Sequence, residues 1–316
     1  MTKISFLISA MNEEKTIGVI MDNLARLKKV EPDIEVLAAC DGSTDKTEEI
    51  INSYKFAKVL INGPRLGKNI SIHRLTQAAK GDIIVIHDAD WIFVWNKQTL
   101  KNMIDFFNNN PKIGGYVQGV PLFNKEKYMN DPARFLVKIG FIGEAVASNL
   151  VRSFMKKLHE NKSFEKLGFT PLMFIIRGGI ITKQTGIKEE EICDEAKRTQ
   201  EMMKKNYAFI YSNETLPYFE VLYNRTSFHD LIKQRTRGFL SNKIQEKSYG
   251  WNMNSFYFGV FSYFFKEFFK LNLTEKTGLG VWILASLIAF INVKIGLTKD
   301  KRVWAHRGTR WDKEAI

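Results

Sequence analysis

Cysteine is nearly absent: Cys40 and Cys193 are the only two in 316 residues, and neither sits in a CxxC pair or at Cys/His spacing. That excludes a disulfide framework and a structural zinc site, and it fits a reducing, cytoplasmic setting. The five histidines also lack metal-type spacing, so no His cluster is expected to hold a cation by itself. No signal peptide is expected, because MTKISFLIS has one lysine and then a short apolar run without a cleavage-type region. Internal repeats and low-complexity tracts are missing as well. Acidic residues are in deficit, 34 Asp and Glu against 47 Lys and Arg, for a formal net charge of +13. Such a surplus favours a polyanionic partner, whether phosphate groups, nucleic acid or an anionic membrane surface, and does not choose among them.

What is present is a globular composition, 45% hydrophobic and 26% charged. The length suits one large domain or one and a half, at roughly 100–200 residues per domain. From the start, strand-like apolar runs alternate with helix-like segments: Ile4–Ser9, Lys15–Lys29, Ile34–Ala39, Asp45–Tyr54, Lys58–Ile61, Lys68–Lys80 and Ile83–His87. That alternation predicts βαβ units and a largely parallel sheet. Ile17, Ile20, Met21, Leu24 and Leu27 make one apolar stripe on the first helix. Asp45 followed by Glu48 looks like the opening of the second helix. Further on, helices are predicted over Gln98–Asn110, Pro132–His159, Glu190–Asn206 and Ser227–Ser241, with strands over Gly115–Val120, Leu172–Ile176 and Ala208–Tyr211.

Polar motifs close the predicted strands. The first ends in Ser9–Glu14 (SAMNEE) and the second in Cys40–Thr47 (CDGSTDKT), at the edge of an α/β sheet where ligands bind. Asp41 is suited to accept a base N–H, Gly42 permits close backbone approach, and Ser43 or Thr44 stands where a helix start faces phosphate. An ordinary Asp-Gly turn has the same appearance. Arg65–Lys68 (RLGK) places two cations around a glycine, and Gly81–Asp90 (GDIIVIHDAD) ends a β-branched strand in two carboxylates. Asp88 and Asp90, two apart, point to one side of an extended chain. Such a pair suits Mg2+ or Mn2+ shared with substrate phosphates.

In this order and spacing, NEE, DGSxDxT, GK and DAD resemble the nucleotide-sugar-binding half of family 2 glycosyltransferases with the GT-A fold, including polyprenyl-phosphate sugar synthases and polysaccharide-type synthases. The resemblance is strong over residues 3–95 and weaker over 96–240. It implies an α/β fold with a mostly parallel central sheet flanked by helices, and inverting transfer from a UDP- or GDP-hexose. It also implies that Ala10, Asn12, Glu13, Asp41, Gly42, Lys68 and Ala89 line the nucleotide-sugar site. Asp88 would face ribose or metal, and Asp90 would be the principal metal ligand. The sequence departs from the family with Ala10 in place of a common proline, and with His73 and Leu75 in the helix after GK.

Arg177–Gly186 and Cys193–Tyr211 are similar to the family's acceptor segment, with the acidic pair reversed as Asp194–Glu195 and the following turn at Asn206–Tyr207. A carboxylate there would take the proton from an attacking hydroxyl, although an acid at a helix start is also favoured by the helix dipole. Lys233–Gly238 (KQRTRG) resembles the QxxRW motif, keeping Gln234, Arg235 and Arg237 with Gly238 in place of Trp. Those cations would hold the departing diphosphate; a solvated basic helix face fits as well.

Beyond Gly250 the composition turns to FYFGVFSYFFKEFFKLNL and then GLGVWILASLIAFINVKIGL. The second run has the roughly 20 residues a helix needs to cross a bilayer core, and the first reads as an interfacial helix. A boundary is expected near residue 245, dividing a transferase domain (1–95 donor half, 96–245 acceptor half) from a membrane-associated tail over 246–316. The basic tail with Trp304 and Trp311 favours a hairpin, or two helices in the interface, at the cytoplasmic face. The expected partners are therefore a nucleotide-sugar donor, a lipid-linked or glycan acceptor and membrane lipids, with no nucleic acid. The competing readings are nucleotidyl transfer and a non-catalytic module binding nucleic acid or anionic lipid.

Overall fold

The structure, a computed structural model, describes residues 2–63, 66–130, 135–160, 174–180, 202–222, 227–249 and 253–296. The chain divides into two compact units, Met1–Val120 with Thr170–Leu222, and Pro121–Phe169 with Tyr223–Ile316.

The first unit opens with strand β1 (Ile4–Ala10), helix α1 (Ile17–Val30), β2 (Glu35–Asp41), α2 (Thr47–Ser53), β3 (Ala57–Gly63), α3 (Lys68–Ala78) and β4 (Ile83–Asp88). Next come β5 (Trp91–Val94), α4 (Lys97–Asn109), β6 (Ile113–Val117), β7 (Ile175–Arg177), β8 (Ala208–Tyr211) and β9 (Tyr218–Val221). Seven strands form one sheet in the order β3-β2-β1-β4-β7-β6-β8. The first four are parallel, and β7 runs antiparallel to β4 and β6. All six residues of β4 are buried, as are six of the seven in β1. Strands covered on both faces read as continuous apolar runs, which is why these two stand out in the sequence. The α1 stripe packs inward as its spacing predicts.

The chain winds outward from β1 through β2 to β3 and then crosses to β4 on the other side of β1. That reversal opens a crevice at the carboxyl ends of β1 and β4, where Ser9 pairs in register with Asp88.

Two details differ from the sequence reading. Helix α2 begins at Thr47, because the Asp45 side chain accepts from Thr47 N at 3.0 Å and from Glu14 N at 3.1 Å, forming a turn rather than the helix opening. A second, two-stranded sheet pairs β5 with β9, Trp91 opposite Val221 and Val94 opposite Tyr218. Four-residue strands paired across more than a hundred residues leave no periodic signature.

The second unit holds α5 (Lys125–Met129), α6 (Phe135–Glu160), α7 (Phe228–Tyr249), α8 (Met253–Phe268) and α9 (Leu273–Lys294). Helix α9 packs along α6 and α7. Gly143 and Gly278 bring two backbones together, since a Cβ on Gly143 would lie 2.2 Å from Gly278 O. Helix α7 runs unbroken through residue 245.

Gly178, next to β7, is held by its N–H to Asp82 O at 2.7 Å, and a Cβ there would lie 2.1 Å from Gly81 O. Gly178→Ala is therefore expected to destabilise by roughly 1–3 kcal/mol through overpacking. Gly280→Ala, with nothing within 4 Å of its Cβ position, should stabilise by about 0.5–1 kcal/mol; denaturant midpoints check both.

Candidate active site

The loops after β1 and β2 are tied to each other. Asn12 adopts a left-handed conformation, φ 57°, which asparagine tolerates better than most residues. Its Oδ1 accepts from Thr44 N at 2.8 Å, and its N–H donates to Ser43 Oγ at 3.2 Å. Glu13 N donates to Thr47 Oγ1 at 2.7 Å, while its carboxylate accepts from Thr16 Oγ1 at 3.0 Å. Ala10, buried at the end of β1, stands in register with Cys40.

Asp41, 3% exposed, ends β2. Gly42 turns the chain away at φ 76°. The Asp41 carboxylate accepts from Leu66 N at 2.6 Å and from Gly67 N at 2.9 Å. Gly67, at φ 95°, then starts α3, and Lys68 in its first turn reaches Asp88 Oδ1 with Nζ at 2.7 Å. The end of β2 is thereby linked to the end of β4. Arg65 lies outside the described residues.

Asp88 and Asp90 are 8% and 7% exposed. Because β4 ends at Asp88 and Ala89–Asp90 form a turn, strand alternation does not set their geometry, contrary to the sequence reading. Two side supports hold the turn. Leu222 N donates to Asp90 O at 3.0 Å, carrying the β5–β9 ladder to Asp90. His87 Nδ1 lies 2.8 Å from Asp88 O; a carbonyl only accepts, so Nδ1 carries the proton. Burial pushes the His87 imidazole down to about 4, keeping it neutral. Its ring packs edge-on to Phe219 at 5.1 Å, in an aromatic cluster with Phe6, Phe93, Trp91 and Phe174. Spacing alone did not single out this residue or its bond to the acidic turn.

Carboxylate oxygen suits a hard divalent cation, and both acids sit at the crevice. Among the described residues no group of three His, Cys, Asp or Glu comes together. A cation here would rest on Asp88 and Asp90 and complete its shell from substrate phosphate and water.

The remaining expected residues, where described, have partners of their own. Arg177 donates to Phe107 O at 2.7 Å, Asn110 O at 2.9 Å and Ile113 O at 3.1 Å, so its guanidinium ties β7 to the end of α4. The turn at Asn206 is present, φ 61°, but Asp194 and Glu195 lie outside the described residues. Gln234, Arg235 and Arg237 stand on α7 of the helical unit. Oriented with its nitrogen towards α6, the Gln234 amide donates to Glu144 Oε1 at 2.9 Å. Arg235 Nε donates to Ser286 Oγ at 3.1 Å, with the guanidinium 4.3 Å from the Trp282 ring.

Residues 5–176 match the family described as Glycosyl transferase family 2. The chain belongs to that family. It is 23% identical to the "Probable glycosyltransferase YdaM" of Bacillus subtilis (strain 168), over 95% of this chain and 75% of that protein. Over 39% of its length it is 30% identical to the beta-monoglucosyldiacylglycerol synthase of Nostoc sp. (strain PCC 7120), spanning only 24% of that protein. The solved mannosyltransferase PcManGT of Pyrobaculum calidifontis, in complex with GDP-Man and Mn2+, superposes with a TM-score of 0.54 at 14% identity, covering 95% of this chain and 82% of that one. That likeness is one of fold. This family 2 chain is thus a glycosyltransferase with the GT-A fold that its motifs resemble.

Asp41→Ala would leave Leu66 N and Gly67 N without their acceptor, at about 1–3 kcal/mol per unsatisfied group. The expected result is a lower denaturant midpoint.

Burial, reinforced by the Glu48 and Asp45 charges, pushes the Cys40 thiol up to about 11. The folded thiol therefore keeps its proton to higher pH than the unfolded one, and the associated stability is lost as pH rises from about 9 through about 11. At pH 8 the thiolate is on the order of one part in a thousand. Cys40 should resist iodoacetamide until the protein is denatured, as peptide mapping would show.

Proposed function

We propose that this glycosyltransferase moves a hexose, with inversion, from a UDP- or GDP-linked donor to a lipid-linked or glycan acceptor at the cytoplasmic face of a membrane, using Mg2+ or Mn2+. The observation that carries the donor side is the buried pair Asp88 and Asp90 at the β1/β4 reversal, with Lys68 on Asp88. A bound divalent cation supplies positive charge against the departing diphosphate. Lys68 adds charge from the α3 start, and Asp41 holds that start in place through Leu66 and Gly67. Asn12 and Glu13 brace the neighbouring loop beneath the nucleotide. Each cation acts most strongly as negative charge gathers on the leaving phosphate.

On the acceptor side, the family resemblance assigns Asp194 or Glu195 as base for an attacking hydroxyl, and Gln234, Arg235 and Arg237 as diphosphate contacts. A polyprenyl phosphate already carries an ionised oxygen and needs no base. The transferase part is taken to run to about residue 245, with the tail beyond it associated with lipid. That association is supported by the apolar helix Leu273–Lys294 and by the lipid named in the Nostoc relative.

The test uses the full chain in mild detergent with a panel of nucleotide sugars and Mn2+ or Mg2+. Metal-dependent release of nucleoside diphosphate is expected, and Asp90→Ala should lower it about 100-fold or more. Release of pyrophosphate would mark nucleotidyl transfer, and no release with any donor and added lipid extract would overturn the donor reading. In the Asp194→Ala/Glu195→Ala double variant, loss of transfer points to a hydroxyl acceptor and full activity to a lipid phosphate.

A further inference from the structure

We infer that α9 lies flat in the surface of an anionic bilayer, with α8 beside it, and does not cross the membrane. The inference rests on the membrane association proposed above and adds its geometry. Helix α9 has the length and composition of a span. A helix apolar on every side belongs in a protein core or in lipid, yet only 22% of its most apolar window is buried. Protein therefore does not supply most of its surroundings.

The exposed apolar side chains fall on one side. Leu284, Leu287, Ile291 and Ile295, each more than half exposed, recur at helical spacing along α9. Phe258, Phe261 and Phe265 form a matching stripe on α8, from 64% to 78% exposed. Phe264 packs on Trp282 at 5.9 Å and joins the two helices.

The opposite side of α9 packs on protein through Gly278, Leu279, Ala285 and Ala289 and makes charged contacts at two points. Glu275, 3% exposed, accepts from Lys125 Nζ at 2.8 Å and from the Tyr128 hydroxyl at 3.2 Å. Halfway along the helix, Ser286 and Trp282 hold Arg235. Helix α7, packed along α9, also carries Lys233 and Arg237. Among the described residues α9 alone has the composition of a span. A bilayer surrounding α9 would take Arg235 and its helix into hydrocarbon, which charged side chains oppose. A bilayer resting on the exposed stripes leaves α6 and α7 in water. Exposed Lys266, Lys270 and Lys294 near the helix ends match anionic head groups beside interfacial aromatics.

The test places cysteines at the two ends of α9, Leu273→Cys and Ile295→Cys, in a full chain carrying Cys193→Ser. A membrane-impermeant thiol reagent is applied to inside-out membrane vesicles and to intact cells. Labelling of both sites in the vesicles and of neither in cells is expected; opposite labelling of the two ends would show a span and overturn the inference. Separately, the unmodified chain should float with phosphatidylglycerol-containing vesicles, and Phe261→Asp/Phe265→Asp should weaken that partition at least tenfold while sparing nucleoside diphosphate release. Partition unchanged in the double variant would overturn the docking face. Failure of the unmodified chain to float would overturn the membrane reading itself, leaving donor chemistry to be judged by its own assay.

Discussion

A carboxylate withdrawn from water has to be met by hydrogen-bond donors or by positive charge. Asp41, Asp88 and Asp90 are all withdrawn at one edge of one sheet, and the local architecture follows from how they are met. Backbone N–H groups of Leu66 and Gly67 serve Asp41, and the Lys68 ammonium serves Asp88. These partners sit at the entry to α3, so the loop that brings them is fixed by the acids it neutralises. The turn through Asp90 is held from beneath by His87 and from the side by Leu222. A diphosphate with its cation would enter a place where positive charge is already arranged around acids.

The helical unit answers a different demand. Its interior is mostly apolar, from Phe141 and Ile142 to Leu279 and Ala285, with polar ties from Glu275 to Lys125 and Tyr128 and from Arg235 to Ser286. Its outer stripes, Leu284 to Ile295 and Phe258 to Phe265, are large, apolar and exposed. Large apolar stripes outside an apolar interior depart from the arrangement of a water-soluble helical bundle.

The sequence disclosed the parts whose physics is local. Strands β1 and β4 were legible because both faces are covered, and α1 because one stripe is. The ordered polar strand ends led to the family and its fold through Asn12, Asp41, Lys68 and Asp90. Features assembled over long separations were not legible. The β5–β9 pair joins short runs from distant parts of the chain, and Arg177 reads as part of an acceptor motif yet clamps backbone carbonyls of α4 and β6. Contact grouping puts residues 121–169 with the later helices, a division that composition along the chain does not show. Sequence neighbours share composition, but packing decides which segments form one body.

The chain of contacts from Asp41 through Gly67 and Lys68 to Asp88 also bears on how such a protein can diversify. A lineage that altered Asp41 would disturb the entry to α3 and with it the lysine that pairs with Asp88. Inheritance would therefore tend to keep these four positions as a block. Change would be accommodated more readily outside the block, as at His73 and Leu75 in α3, where the motif reading marks a departure from the family pattern.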